Sequence, residues 1–359
     1  MWVDTVKLKD FRNYKECSLT FDENVTFLYG ENGQGKTNIL EALYLCSTTK
    51  SHRGAKEKDL IRFGCEEAHI KTEFIKNTGR HYIDYHVRKN DKRGVAIDGM
   101  TVKKASDFYG FLKAVMFSPE DLMIVKSGPA ERRKYLDREI SQTSGYYMKA
   151  LSNYNHVLLQ RNKLLKDIYN DSSLKTTLDV WDDQLVFYGE LVINQRREFI
   201  KTLQEILKPV HKTISGGKED IRIVYQPNAG VDYFRDILRK NRERDIINAS
   251  TTSGPHRDDF SIIINGYDCR SFGSQGQIRS AALSLKMAEI RILKNVTHET
   301  PILLLDDVLS ELDGIRQECL LSEIKGVQTI MTGAGIDEYI RDNIRIDKVY
   351  YIKDGTAAC

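Results

Sequence analysis

Near the N-terminus the run Gly30-Glu31-Asn32-Gly33-Gln34-Gly35-Lys36-Thr37 matches G-x-x-x-x-G-K-[ST]. Glycines at this spacing let backbone N–H groups turn inward around phosphate oxygens, and a helix starting there adds its partial positive charge. Lys36 is the residue type that bridges the β- and γ-phosphates, and the Thr37 hydroxyl is the type that binds Mg²⁺. The bland alternative is a glycine turn beside an ordinary lysine. Context argues against it: the apolar run Val25-Thr26-Phe27-Leu28-Tyr29 precedes the loop, and Ile39, Leu40, Leu43 and Tyr44 follow at helical spacing. A nucleotide site is expected here.

Its second half lies near the other end of the chain. Ile302-Leu303-Leu304-Leu305 is a continuous apolar run, the pattern of a buried strand in a parallel sheet, and it ends in Asp306-Asp307. A carboxylate at the C-terminal end of such a strand can reach the metal of a bound nucleotide. Asp306 is expected to hold Mg²⁺ and Asp307 to polarise an attacking water, with Lys36 completing the catalytic set. Because Lys36 and Asp306 must meet at one nucleotide, the ATPase is split, and a helical segment interrupts it.

The elements around these motifs follow from periodicity. Residues 1 to about 30 alternate as strands do, and residues 66–103 read as a β-meander. From Pro129 the period becomes helical. One face runs through Leu151, Tyr154, Leu158, Leu165 and Ile168, and another from Leu178 to Val210, long enough for a helix of roughly 45–50 Å. Two antiparallel helices of this kind make an arm, or else both pack onto the main body. Strand patterns return after Ser215-Gly216-Gly217. The expected division is an N-terminal ATPase lobe with the P-loop and meander over 1–120, a helical arm over 121–215, and a C-terminal ATPase lobe over 216–359.

Composition narrows the class. Of 359 residues 41% are hydrophobic and 29% charged, so the chain can bury a sizeable core and is not broadly disordered. The start, Met1-Trp2-Val3-Asp4-Thr5, lacks a signal-peptide pattern, and no long apolar run suggests a membrane span. No two of the 6 cysteines have the close spacing of zinc or redox pairs, which fits a reduced cytoplasmic protein. A net charge of +3 decides nothing about nucleic acid by itself. Residues 50–104 nonetheless hold 14 Lys/Arg against 8 Asp/Glu, with Lys50, Arg53, Lys56 and Lys58 clustered after the P-loop helix. This is either a phosphate-tracking patch for DNA or a solvated basic face.

Further motifs carry a family resemblance. Ser274-Gln275-Gly276-Gln277 resembles the signature motif of ABC-type ATPases, and Ser310-Glu311-Leu312-Asp313 resembles their D-loop. Leu8-Lys9-Asp10-Phe11-Arg12-Asn13-Tyr14, with Asn38, resembles the SMC branch. Thr251-Thr252-Ser253-Gly254-Pro255-His256-Arg257-Asp258-Asp259-Phe260 and Phe117-Ser118-Pro119-Glu120-Asp121-Leu122 closely resemble the RecF family of bacterial recombination mediators, over nearly the whole chain.

That resemblance implies an α/β fold: a split ABC-type ATPase head of mixed sheet and helices, plus a helical arm, SMC-like without a long coiled coil. It implies ATP and Mg²⁺ as cofactors and an ATP-dependent homodimer in which Ser274, with Gln275, Gly276 and Gln277, meets the nucleotide held by the partner. Arg12 and Asn13 would be further nucleotide contacts, and Ser310, Glu311 and Asp313 would form the D-loop. The implied function is ATP-dependent binding to DNA at single-strand gaps and junctions in recombinational repair, replication restart and SOS induction. Weak DNA-dependent ATP hydrolysis would release the DNA. RecR is the implied partner, with RecO in the same pathway. Two departures from the ABC pattern matter. Asp307 stands where a glutamate is usual, which suggests slow turnover, and the switch position is Thr332 rather than histidine. A transporter's nucleotide-binding subunit and a non-hydrolysing scaffold remain as rivals at this point.

Overall fold

In the computed structural model, which describes residues 1–90, 93–335 and 343–358, the chain divides into two compact units. The first contains Met1–Leu122, Thr213–Gly216 and Ala282–Cys359, and the second contains Met123–Lys212 and Gly217–Ala281.

Two six-stranded sheets build the first unit. One is antiparallel, in the order Tyr14–Thr20, Trp2–Phe11, Glu67–Lys76, Gly79–Arg88, Gly94–Ile97, Met100–Thr101. The other runs Thr356–Ala358, Lys348–Lys353, Val25–Tyr29, Thr329–Gly333, Ile302–Asp306, Ala114–Phe117, with the last five strands parallel. Every residue of Ala114–Phe117, Ile302–Asp306 and Thr329–Gly333 is buried, which is why the runs Ala114–Phe117 and Ile302–Leu305 are apolar without alternation. The P-loop helix, Lys36–Thr48, is buried along nearly its whole length, and Leu40 and Leu43 share one core with Leu8, Ile70, Leu304 and Ile330.

The second unit contains the long helices Gly145–Asn170 and Leu178–Ile214, the shorter Pro129–Thr143, and a three-stranded antiparallel sheet ordered Tyr267–Asp268, Asp259–Ile264, Ile221–Gln226. Leu178–Ile214 has 37 residues and so spans about 55 Å, longer than the pattern suggested. These helices are not a bare hairpin. The Gln204 amide accepts from Ile223 N at 2.6 Å and donates to Ile221 O at 3.2 Å, tying the long helix to the sheet.

Two buried arginines lock this unit. Arg161, fully buried, donates to Asp182 (2.6 Å), Asp245 (2.8 Å) and Thr251 (2.8 Å). Arg196 donates to Asp137 (2.7 Å), the Tyr147 hydroxyl (3.0 Å), Pro255 O (2.7 Å) and Asp258 (3.1 Å). Both reach the Thr251–Phe260 run, so that motif acts as the staple between helices and sheet. Gly254 sits there at φ 131°, where a Cβ would lie 2.5 Å from the Tyr154 hydroxyl.

The compact units part from the expected division beyond residue 216, while the first limit, at Leu122, lies close to the expected 120. The segment 217–281 groups with the helices, because its ion pairs run to Arg161 and Arg196. The last segment of the first unit begins at Ala282.

Candidate nucleotide site

Strand Val25–Tyr29 delivers the chain into the loop at the C-terminal edge of the parallel sheet. Gly30, Gly33 and Gly35 all have positive φ (147°, 82° and 113°), a region that L side chains resist. A Cβ on Gly30 would run into the carbonyl oxygen of Ile352, and one on Gly35 would lie 2.5 Å from the Asn13 amide. Helix Lys36–Thr48 then begins with no side-chain cap and no acidic residue in its first turn. Its N-terminal N–H groups and dipole are left for an anion.

Lys36 folds back across the loop, where its ammonium donates to Gly30 O and, at 2.9 Å, to Glu31 O. Burial lowers its pKa while the nearby Asp307 and Asp306 carboxylates oppose that shift. Thr37 Oγ1 donates to Asp306 Oδ1 at 2.7 Å. Thr332 Oγ1 donates to the same oxygen at 2.9 Å and accepts from Asp307 N at 3.0 Å. Asp307 takes the left-handed conformation at φ 52°, and Ser310 Oγ holds it by donating to its carbonyl (2.9 Å) and to Oδ1 (3.2 Å). Thus the loop, Asp306, Asp307, Ser310 and Thr332 form one cluster. Hydroxyl and carboxylate oxygens side by side are the hard donors that suit Mg²⁺.

Of the two expected nucleotide contacts, Asn13 bonds to the loop and Arg12 bonds elsewhere. Asn13 Nδ2 donates to Gln34 O at 2.9 Å and Oδ1 accepts from Asn38 Nδ2 at 2.8 Å. The Gln34 side chain accepts from Asp354 N at 2.7 Å. Arg12 is engaged by protein: its guanidinium grips both oxygens of buried Glu41 (2.7 and 2.8 Å) and Asp59 O (2.7 Å). Burial would raise the Glu41 carboxyl, but the hydrogen bonds from Arg12 and Ser51 outweigh it and hold it below its usual value. Sequence reasoning passed over Glu41, although an acid at a core position of an apolar helix was a readable signal.

The remaining expected residues are placed as follows. Ser274 and Gln277 belong to the second unit and cap helix Gln275–Thr297 reciprocally, Ser274 N to Gln277 Oε1 at 2.9 Å and Gln277 N to Ser274 Oγ at 3.2 Å. Ser274 and Gln275 are exposed, and Gly276 is half-buried. Asp313 caps helix Gly314–Ile324 by accepting from Arg316 N at 3.0 Å. The Glu311 side chain lies outside the described residues. Lys50, Lys56 and Lys58 are exposed, while Arg53 Nη1 donates to Asn38 Oδ1 at 3.4 Å and so adjoins the nucleotide cluster. Among the described residues no group of three or more acidic, histidine or cysteine side chains is placed to hold a metal ion, and no helix is long and apolar enough to cross a membrane.

Comparison with known proteins follows the same lines. The family model described as RecF/RecN/SMC N terminal domain matches residues 2–334. The chain is 50% identical over 355 residues to the DNA replication and repair protein RecF of Agathobacter rectalis, covering 99% of this chain and 98% of that one. A solved structure of "the recombination mediator protein RecF-ATP in RecFOR pathway" superposes with a TM-score of 0.92 at 35% identity, covering 99% of this chain and 97% of the other. An Smc head domain from Pyrococcus furiosus shares the fold at TM-score 0.58 and 16% identity, over 99% of this chain and 95% of that one.

Proposed function

The chain belongs to the RecF family of DNA replication and repair proteins, and from that premise we propose that it is an ATP-dependent DNA clamp of the RecFOR pathway. ATP with Mg²⁺ occupies the Gly30–Thr37 loop, and two copies close on DNA at single-strand gaps or junctions. Slow hydrolysis lets go, and the outcome is recombinase loading and SOS induction with RecR and RecO. Membership in this family removes the transporter-subunit rival.

One observation supports the reading most: Thr37, Asp306 and Thr332 converge on a single carboxylate oxygen beside an uncapped helix N-terminus. Each residue has a definable task. The loop N–H groups and Lys36 bind and orient the triphosphate, and Thr37 with Asp306 would hold Mg²⁺, which supplies charge neutralisation at the phosphates. Asp307, fixed by Thr332 and Ser310, is placed to orient and deprotonate water; its short side chain suits slow turnover. Ser274 from a second copy would complete the site, so that the bound triphosphate joins the two subunits. Lys50, Lys56 and Lys58 offer phosphate contacts to DNA.

The test is binding to a labelled gapped duplex, with and without ATP–Mg²⁺, for wild type and Asp307→Asn. ATP-dependent retention that Asp307→Asn prolongs supports the clamp. Binding indifferent to nucleotide in both proteins sinks it.

A further inference from the structure

The buried arginines of the second unit, Arg132, Arg161 and Arg196, are each matched by carboxylates. Their neighbour Arg133 is not. It is half-buried on helix Pro129–Thr143, donates from Nη1 to Asp258 O at 2.8 Å and, among the described residues, forms no ion pair. The neighbouring carboxylates are spent. Asp137, one helical turn on, accepts from Arg196 and the Tyr147 hydroxyl. Asp258 accepts from Arg196, Tyr225 and Asn228 N, and Arg132 grips both oxygens of Asp259 at 2.6 and 2.8 Å. Burial and the nearby Arg196 charge accordingly lower the Arg133 pKa.

Arg133 also forms one wall of a cleft. The cleft has a volume of about 270 Å³ and lies wholly within the second unit, where helices Pro129–Thr143 and Gly145–Asn170 meet the Thr251–Phe260 run. Lys134 and Asn155 line it beside Arg133, together with Tyr154, Pro255 and His256. Both ring nitrogens of His256 are already bonded, to Tyr154 and Thr251, so that ring shapes the cleft without offering a contact. Lys134 and Asn155 are exposed, and the Lys134–Glu131 pair at 2.7 Å is a surface pair worth little. Arg257, exposed between His256 and Asp258, likewise forms no ion pair among the described residues. The donors left available around this one concavity are a guanidinium fork, an ammonium and an amide.

Donors without carboxylate partners suit an anion, and the size of the cleft limits what can enter. Pockets that enclose a whole small ligand begin near about 300 Å³, so this one takes a single projecting group. A guanidinium fork matches phosphate oxygens, and lysine and asparagine are common contacts that hold a nucleic-acid backbone without reading its bases. We propose that the cleft is a DNA-contact site, in which a backbone phosphate seats against Arg133 while Lys134 and Asn155 donate to the same or the adjoining phosphate. An acidic protein segment would engage the same arginine, but donors spread along a rim suit a repeating phosphate chain better than one carboxylate. The site stands apart from the Lys50–Lys58 cluster, which belongs to the first unit. It also gives the Thr251–Phe260 run a second task, since the segment that staples helices to sheet shapes the cleft as well. This rests on the DNA reading above.

The experiment compares the full-length protein with Arg133→Gln, Arg133→Lys and Lys134→Gln. Binding to a fluorescein-labelled gapped duplex is followed by anisotropy with ATP–Mg²⁺ present, between about 50 and 200 mM salt. Arg133→Gln is expected to weaken binding on the order of 10-fold and to reduce the slope of log Kd against log salt by about 1. Arg133→Lys keeps the charge but not the fork and should recover part of the loss. Lys134→Gln should act in the same direction to a smaller extent; it alters an exposed side chain, so the test stays decisive even if Arg133→Gln fails to fold. Wild-type affinity and slope in both glutamine variants overturn the proposal. Should those variants instead lose retention of RecR, the cleft belongs to an acidic protein surface. A melting temperature raised by millimolar inorganic phosphate in wild type but not in the variants, with DNA binding unchanged, assigns it to a free anion. A wild-type protein that does not bind the duplex at all overturns the DNA reading itself.

Discussion

Thr37 Oγ1 and Asp306 Oδ1 lie 2.7 Å apart although 269 positions separate them in the chain. Thr332 donates to that same Asp306 oxygen. Parallel pairing makes this possible: Thr329–Gly333 lies between Val25–Tyr29 and Ile302–Asp306, so three strand ends converge beside one loop. The site is therefore a property of the sheet, and closing it requires both ends of the chain.

Thr332 is the keystone of that convergence, since it links the Asp306 side chain to the Asp307 backbone. Thr332→Val preserves shape but removes the hydroxyl, leaving Asp307 N unpaired and Asp306 with one donor fewer. The expected cost is about 1–2 kcal/mol in urea unfolding. ATP turnover should fall as well, because Asp307 loses one of the two groups that fix it. Unchanged stability and turnover would show that Thr332 is a bystander.

Ser274 has two separable roles, a helix cap within its own chain and a proposed contact in the dimer. Ser274→Ala should lower stability by about 1 kcal/mol through loss of the cap. Ser274→Asn retains a capping side chain and should stay within about 0.5 kcal/mol of wild type. If the contact in trans exists, both variants lose ATP-driven dimerisation. Normal dimerisation by Ser274→Asn would leave the serine with capping alone.

His256 sets a pH dependence in the second unit. Its Nδ1 pairs with the Tyr154 hydroxyl at 2.6 Å and its Nε2 with Thr251 O at 3.0 Å, and burial lowers its pKa from 6.5 to about 4. Between those values the unfolded chain binds the extra proton and the folded one does not. Its contribution is thus complete above about pH 6.5 and declines as pH falls toward 4, by roughly 3 kcal/mol at most. Unfolding free energy measured from pH 7 to 4 should fall less steeply in His256→Asn than in wild type. Parallel curves would contradict the assignment.

What the sequence made legible was local. The strand, glycine loop and helix around Lys36 form one continuous segment, and the apolar run ending in Asp306 can only be a buried strand. The grouping of 217–281 with the helices was hidden, because it depends on Arg161 and Arg196. A lone arginine in a helical pattern reads as a solvated charge until its distant carboxylates are placed around it. The capping role of Ser274 was masked for the opposite reason: S-x-x-Q serves both a cap and a signature, and spacing cannot separate them.

The most direct test of ATP-driven clamp formation is sedimentation of the full chain with and without ATP–Mg²⁺, alongside Lys36→Ala and Ser274→Arg. The expected result is a wild-type monomer that becomes a dimer only with ATP–Mg²⁺, while both variants stay monomeric. A wild-type protein that binds ATP yet remains monomeric, at concentrations well above those of its DNA binding, would contradict the central claim.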